Sequence, residues 1–163
     1  MIIGILGMMV VLIGLDQLFK YWAVIYLQPI GTVPLVSGKF HLTYLENFGA
    51  AGGILQGKQF FLILVTSVVL TGLLILLLLK KIPGRFLPWM VGVVAAGGIG
   101  NLIDRIFRGF VVDYLDFCWI HYPVFNFADC CVVVGIFVIA GYVFWNEKKQ
   151  GKVEIQPPKG KEK

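Results

Sequence analysis

Four long apolar segments constrain the fold of this 163-residue chain more strongly than any other feature of its sequence. They cover about residues 3–26, 59–79, 86–103 and 127–146. Each is close to the ~20 residues that an α-helix needs to cross about 30 Å of hydrocarbon. Hydrophobic residues make up 58% of the chain and charged residues only 14%, so lipid must surround most of this apolar surface. We therefore predict an all-α membrane protein whose four transmembrane helices form a bundle.

The distribution of basic residues predicts how these spans are oriented. Four spans place both termini, and the loop between the second and third spans, on one side of the membrane. That side carries nine of the 14 Lys and Arg residues, namely Lys80, Lys81, Arg85 and the six lysines of the carboxy-terminal tail. The positive-inside rule therefore places both termini in the cytoplasm. The tail, residues 147–163, is expected to be a flexible basic segment beside an anionic membrane surface.

Two longer segments, about residues 28–57 and 104–126, are then expected on the extracytoplasmic side. In the first of them, residues 39–45 alternate between apolar and polar side chains, with Phe40, Leu42 and Tyr44 facing away from His41 and Thr43. This period of two predicts a short β-hairpin or small sheet at the membrane surface. Such a sheet and the following loop would cover the outer end of the bundle.

Small residues follow one face of the third span. Gly92, Ala96 and Gly100 recur at intervals of four, with Ala95, Gly97 and Gly98 beside them. Because small residues let another helix backbone approach closely, this stripe predicts a tightly packed central helix. It also predicts that the polar end of this span, which carries Asn101, is held rigidly at the centre of the bundle.

Five carboxylates cluster where the spans meet the outer side: Asp16, Asp104, Asp113, Asp116 and Asp129. Structural roles account for some of them. Asp16 and Lys20 have the i, i+4 spacing of a helical ion pair. Asp104 is placed to pair with Arg105 or Arg108 at a helix end, and Asp116 is expected to be solvated or paired.

Asp113 and Asp129 are harder to explain in this way. Asp129 at the start of the fourth span is compatible with a first-turn acid that the helix dipole stabilises. That explanation leaves open why Asp113 arrives from the preceding loop at the same depth. Two adjacent carboxyl groups keep one proton between them, and such a pair activates water and protonates a leaving amine. The pattern thus permits amide hydrolysis without a metal, a cofactor or a covalent intermediate.

Other functions remain open at this point. Cys118 and His121 have the spacing of two zinc ligands, with Cys130 and Cys131 nearby, although adjacent cysteines are poor co-ligands. Asp16 and Asp129 are also compatible with the charge relay of a proton-coupled transporter or channel subunit. The five acids together are compatible with the docking surface of a non-catalytic assembly factor. The net charge of +5 indicates no nucleic-acid partner, because the basic residues form no patch among aromatics. We expect no metal and no cofactor.

Four sequence blocks resemble the bacterial lipoprotein signal peptidase family, signal peptidase II. They are "LDQLFK" (residues 15–20), "ENFGAAGGIL" (46–55), "GGIGNLIDRIFRGFVVDYLDF" (97–117) and "PVFNFADCCVVVG" (123–135). The resemblance implies a four-span aspartic endopeptidase of the bacterial cytoplasmic (inner) membrane, active near the extracytoplasmic face. We expect it to be a monomer. Its partners would be membrane lipid and diacylglyceryl-modified prolipoproteins, which such enzymes cut on the amino side of the lipid-modified cysteine.

The same resemblance assigns residue roles. The family's catalytic dyad corresponds to Asp113 and Asp129. Its substrate-binding and supporting residues correspond to Asp16, Asn47, Asn101, Arg105 and Asn126. Asp104 also matches and is expected to be structural. The chain departs from the family at Gly52, where an aromatic usually follows "GAA", which places the packing of the substrate-covering loop in question.

Overall fold

The computed structural model describes residues 1–50, 54–120 and 122–154 of the chain. In these ranges helix α1 spans Ile2–Trp22 and continues as a π-helical turn, Ala23–Leu27. Strands β1 (Thr32–Val36) and β2 (Phe40–Asn47) follow. Helices α2 (Gln59–Leu78) and α3 (Leu87–Phe107) come next. Strand β3 (Val111–Asp116), a short 3₁₀ helix (Cys118–Ile120) and helix α4 (Phe127–Glu154) complete the order.

The described residues contain four helices that are long and apolar enough to cross a membrane, which confirms the predicted helical bundle. Two of them are longer than predicted. Helix α3 continues to Phe107, so Asp104 and Arg105 lie in its last turns and not in a connecting segment. The helix continues through these charges because Asp104 has basic partners on both α1 and α3. Helix α4 includes residues 147–154 of the predicted tail, and residues 155–163 lie outside the described ranges.

Helix α3 lies at the centre of the bundle and packs against α1, α2 and α4. Its glycines make this possible. A Cβ atom at Gly92 would lie 2.7 Å from Ile5 of α1, and one at Gly98 would lie 2.8 Å from Leu70 of α2. A Cβ at Gly97 would overlap the carbonyl oxygen of Ala128 in α4. The small-residue stripe therefore serves close contact with all three neighbouring helices.

The strands form one antiparallel sheet in the order β1-β2-β3. The predicted hairpin is confirmed as β1 and β2, but β3 was not predicted. Strand β3 pairs along most of β2, from His41 opposite Asp116 to Asn47 opposite Val111, with a register shift between Leu42 and Leu45. Buried Val112 and Tyr114 of β3 pack with the end of α1 around Ala23 and Leu27. This packing fixes the sheet on the bundle.

Contacts along the bundle identify its two ends. Gly4 of α1 lies close to Trp89 of α3, and the Phe86 ring lies 4.9 Å from that of Tyr142 in α4. The start of α1, the α2–α3 connection and the later part of α4 therefore share one end. The sheet, the last turns of α1 and α3 and the first turn of α4 meet at the other end, where the five aspartates lie.

Candidate active site

Asp113 reaches the bundle from strand β3. The residue is only 1% exposed, because the first four residues of this strand are buried where the sheet packs on the bundle. Each carboxyl oxygen accepts one hydrogen bond from an asparagine amide. Asn47 Nδ2 donates to Oδ2 at 2.9 Å, and Asn126 Nδ2 donates to Oδ1 at 2.6 Å.

Asp129 lies in the first turn of α4 and takes part in the cap of that helix. Asn126 precedes the helix, and its Oδ1 accepts from the Asp129 backbone N–H at 2.9 Å. In return, Asp129 Oδ2 accepts from the Asn126 backbone N–H at 3.2 Å. This reciprocal pair is a capping box, so the helix-start explanation for Asp129 holds. The other oxygen, Oδ1, accepts from Asn101 Nδ2 at 2.7 Å.

Asn126 connects the two aspartates directly. Its side-chain amide donates to Asp113 while its backbone N–H donates to Asp129. Asn101 lies behind this pair, and its Oδ1 is 3.2 Å from Asn126 Nδ2. The structure thus brings Asp113 and Asp129 into one hydrogen-bonded cluster, although the chain separates them by sixteen positions.

The electrostatics of the cluster favour a retained proton on Asp113. Burial raises the pKa of its carboxyl to about 7, and the charge of Asp129 acts in the same direction. The amides of Asn47 and Asn126 and the charge of Lys20 oppose this shift without cancelling it. A carboxyl group with such a pKa is half protonated near neutral pH, where an ordinary aspartate is ionised.

A buried ion-pair network contacts the cluster through Asn101. Lys20 is fully buried, and its ammonium group lies 3.0 Å from both Asp16 and Asp104. Its third contact is a hydrogen bond of 2.9 Å to Asn101 Oδ1. All three donors of the ammonium group are therefore used. Both predicted pairings, Asp16 with Lys20 and Asp104 with Arg108, are present.

Asp16, which was expected among the substrate-binding and supporting residues, is held by donors of the protein itself. It is 1% exposed, and its Oδ1 accepts from the backbone N–H of Ala128 at 3.0 Å. Its Oδ2 accepts from Lys20 and Gln17. Direct contact with a substrate does not fit this geometry, because both oxygens are held by protein donors. Asp16 instead ties α1 to the start of α4.

Arg105 lies at the end of α3, where it interacts electrostatically with Asp113 and Asp129. Its Nη2 donates to the carbonyl oxygen of Gly49 at 2.9 Å, in the loop that follows β2. Asn47 holds the same loop, since its Oδ1 accepts from the Gly49 backbone N–H at 2.9 Å. The Nε atom of Arg105 is buried without a hydrogen-bond partner in the described residues. Gly52, farther along this loop, lies outside the described ranges.

An apolar cavity of about 300 Å³ opens beside Asp129. Its walls come from α4 and from the segment that follows β3, including Phe117, Ile120, Tyr122, Phe125 and Val133. Among the described residues that line it, the Asp129 carboxyl is the one charged group. A hydrophobic ligand bound here would lie next to one member of the aspartate pair.

The described residues give little support to the cysteine-based alternative at this site. Cys118, Cys130 and Cys131 are all free thiols, and His121 lies outside the described ranges. In the part of the chain that the structure describes, the grouping suited to a metal ion is His41, Asp116 and Cys118, in the sheet. It does not include either aspartate of the pair.

The fold and the site define a multi-pass membrane protein with a buried pair of carboxyl groups next to an apolar cavity. The family model described as "Signal peptidase (SPase) II" matches residues 8–145. The chain therefore belongs to the signal peptidase II family, a family of bacterial membrane proteases.

Individual relatives agree with this assignment. The lipoprotein signal peptidase of Brevibacillus brevis is 43% identical, over 85% of this chain and 93% of the relative. The lipoprotein signal peptidase of Caldanaerobacter subterraneus is 47% identical, over 79% of this chain and 87% of the relative. A solved structure of a bacterial membrane enzyme superposes with a TM-score of 0.81 at 26% identity, covering 98% of this chain and 94% of that one.

Proposed function

We propose that this chain is an aspartic endopeptidase that removes the signal peptide from diacylglyceryl-modified prolipoproteins. The cut would fall on the amino side of the lipid-modified cysteine. The observation that carries this proposal is the Asp113–Asp129 cluster, in which one carboxyl group is buried with a pKa of about 7. Membership of the family supports the substrate class, and the apolar cavity beside Asp129 suits a membrane-anchored substrate.

The proposed reaction uses the two carboxyl groups in different protonation states. Both carboxyl groups accept two N–H donors, but Asp129 is only partly buried whereas Asp113 is 1% exposed, so Asp129 suits the role of the ionised partner. It takes a proton from a water molecule, and the oxygen of that water attacks the scissile carbonyl carbon. Asp113 begins protonated and, as the tetrahedral intermediate collapses and its C–N bond breaks, donates that proton to the leaving nitrogen. The leaving amine departs with the proton, and no covalent enzyme intermediate is formed.

Arg105 is suited to stabilise the charge that develops on the scissile carbonyl oxygen. It is a cation close to both aspartates, and its Nε has no hydrogen-bond partner among the described residues. A fixed donor in a poorly solvated site is worth more to a transition state than the same donor in water. We therefore assign Arg105 to substrate and transition-state binding.

The asparagines receive a different assignment from the expected one. The amides of Asn47, Asn101 and Asn126 already donate to an aspartate. Their contribution is to orient the carboxyl groups. Lys20 orients Asn101 in a similar way, and Asp16 orients the start of α4. Asn47 also contacts the substrate-covering loop, since its Oδ1 accepts from the Gly49 backbone N–H.

The site would lie at the extracytoplasmic face, with both termini in the cytoplasm. The basic residues at the opposite end of the bundle support this orientation through the positive-inside rule. A proton-coupled transporter is not favoured. Asp16, which that function needs as a relay, is neutralised by Lys20, and the family is one of proteases.

The test is cleavage of a defined substrate by the purified full-length chain in detergent. A prolipoprotein carrying diacylglycerol on its cysteine is compared with the same precursor left unmodified. We expect cleavage of the modified precursor, with mass spectrometry placing the new amino terminus at the lipid-modified cysteine. Equal cleavage of both precursors would contradict the substrate class, and cleavage elsewhere in the chain would contradict the proposed specificity.

A further inference from the structure

We propose that His41, Asp116 and Cys118 form a binding site for a divalent transition metal ion of the Zn²⁺ class. The site lies on the sheet and is separate from the aspartate pair. One imidazole nitrogen, one carboxylate oxygen and the thiol sulfur all lie within 4.8 Å of one another.

The fold brings these residues together from three elements. His41 of β2 and Asp116 of β3 are direct partners in the antiparallel register, so their side chains project from the same face of the sheet. Cys118 begins the short 3₁₀ helix after β3, and its sulfur lies 3.8 Å from the backbone oxygen of Asp116. The arrangement is thus built on backbone pairing and does not depend on a chance meeting of surface loops.

Two further observations indicate a ligand. The Nε2 atom of His41 is buried and has no hydrogen-bond partner among the described residues. A buried polar atom without a partner is costly, and a bound metal ion would satisfy it. In addition, Thr43 donates from its hydroxyl to Asp116 Oδ2 at 2.9 Å. Hydrogen bonds of this kind orient the carboxylates that ligate metals.

The donor set selects the class of ion. Sulfur, nitrogen and oxygen donors together suit Zn²⁺, whereas Mg²⁺ and Ca²⁺ require oxygen ligands. Ligands at the usual Zn²⁺ bond lengths lie about 3.5 Å apart in a tetrahedron. Separations of up to 4.8 Å therefore require the side chains to close by about 1 Å, which is within the reach of side-chain rotation. Three protein ligands leave the fourth position for water.

A metal here would stabilise the wall of the apolar cavity. Cys118 lies within the segment that supplies Phe117 and Ile120 to that cavity. The Phe117 ring already packs at a tilt, with a centroid distance of 5.1 Å, against Phe40 of β2, and it stacks at 5.5 Å on Phe125. Coordination by His41 and Cys118 would add a second connection between β2 and this segment.

The test is direct metal binding by the full-length protein, purified in detergent without a polyhistidine tag and stripped with chelator. Co²⁺ is the probe, because a thiolate ligand gives it a charge-transfer absorption band. We expect one Co²⁺ per chain, displaced by Zn²⁺, with the band lost in Cys118→Ala and in His41→Ala. Zinc should also raise the melting temperature of the wild type and leave that of Cys118→Ala unchanged.

Two variants keep the proposal testable if those substitutions disturb folding. Thr43→Val keeps all three ligands, removes the hydrogen bond to Asp116 together with an exposed one from Thr32, and should weaken Co²⁺ binding about 10- to 100-fold. Cys130→Ala removes a thiol outside the cluster and should bind as the wild type does. A wild-type protein without the band would overturn the proposal. So would a band that survives in Cys118→Ala or disappears in Cys130→Ala.

Discussion

Replacing Asn47 by alanine is expected to shift the alkaline limb of the pH–activity profile upward. In the proposed mechanism Asp113 must begin protonated, so activity falls about tenfold per pH unit above its pKa, which is about 7. Asn47 donates to Asp113 at 2.9 Å and stabilises the ionised form of the carboxyl group, which lowers its pKa. Removing the donor therefore raises the pKa, and the protonated enzyme persists to higher pH.

The size of the shift follows from the hydrogen bond that is lost. A hydrogen bond to a charged group is worth about 1.5–3 kcal/mol, and 1.36 kcal/mol corresponds to one pKa unit. That range gives a shift of roughly one to two units. We expect the lower end, about one unit, because Asn47 is half-exposed and water replaces part of its effect.

The assay measures kcat/KM for a diacylglyceryl-modified precursor from about pH 5 to pH 9, a range that brackets the profile of the free enzyme. The matched control is Glu46→Gln, at the adjacent position of β2, whose hydrogen bond is to Tyr44 and not to Asp113. Asn47→Ala also loses its contact with the loop that follows β2, which is expected to lower the cleavage rate at every pH. The readout is therefore the pH at which the alkaline limb falls, and not the absolute rate. A limb that stays in place or moves to lower pH would show that Asp113 is not the group whose protonation limits activity.

Three further predictions concern the scaffold. Lys20→Met leaves Asp16 and Asp104 buried without their shared cation, so it should destabilise the fold by about 3–5 kcal/mol in a thermal-unfolding measurement. The control Lys58→Met, at an exposed position, should have little effect. Gly97→Ala forces a Cβ atom against Ala128 and should lower the free energy of unfolding by about 1–3 kcal/mol. The control Gly72→Ala, whose Cβ would have no neighbour within 4 Å among the described residues, should leave the free energy of unfolding unchanged. The orientation is tested with a reporter enzyme that is active only outside the cytoplasm. It should be inactive when fused after the last residue and active when inserted in the β1–β2 turn at Ser37.

The helical part of the fold was predictable because crossing a bilayer leaves the sequence few choices. Long uncharged segments identify the spans directly, and small residues at intervals of four identified α3 as the central helix. The end of α3 was not predictable from hydropathy. It depends on Lys20, which arrives from α1 to neutralise Asp104 and lets the helix continue to Phe107.

Strand β3 was missed because its burial pattern is not alternating. Val111, Val112, Asp113 and Tyr114 are all buried, so the period of two that revealed β2 is absent. Its pairing with β2 is also a long-range contact, which a single sequence does not display. The capping box at the start of α4 was visible in principle, since Asn126 precedes Asp129 by the required three positions.

The roles of the supporting residues needed coordinates for a similar reason. Lys20 was expected only as a partner of Asp16, yet it also holds Asn101, which in turn holds Asp129. Asp16 was expected among the substrate-binding and supporting residues, and its bond to the backbone of α4 could not be read from the sequence. Sequence motifs identify which residues matter together, but the direction of each side chain depends on how the helices pack.

The most direct test of the proposed dyad is the cleavage rate of Asp113→Asn, Asp129→Asn and the double variant on the diacylglyceryl-modified precursor. If the two carboxyl groups act as one unit, each single variant should lose as much activity as the double variant, while Glu46→Gln retains wild-type activity. All variants are first checked for the wild-type melting temperature, so that a loss reports on chemistry. Cleavage at or near the wild-type rate by either folded single variant would contradict the account.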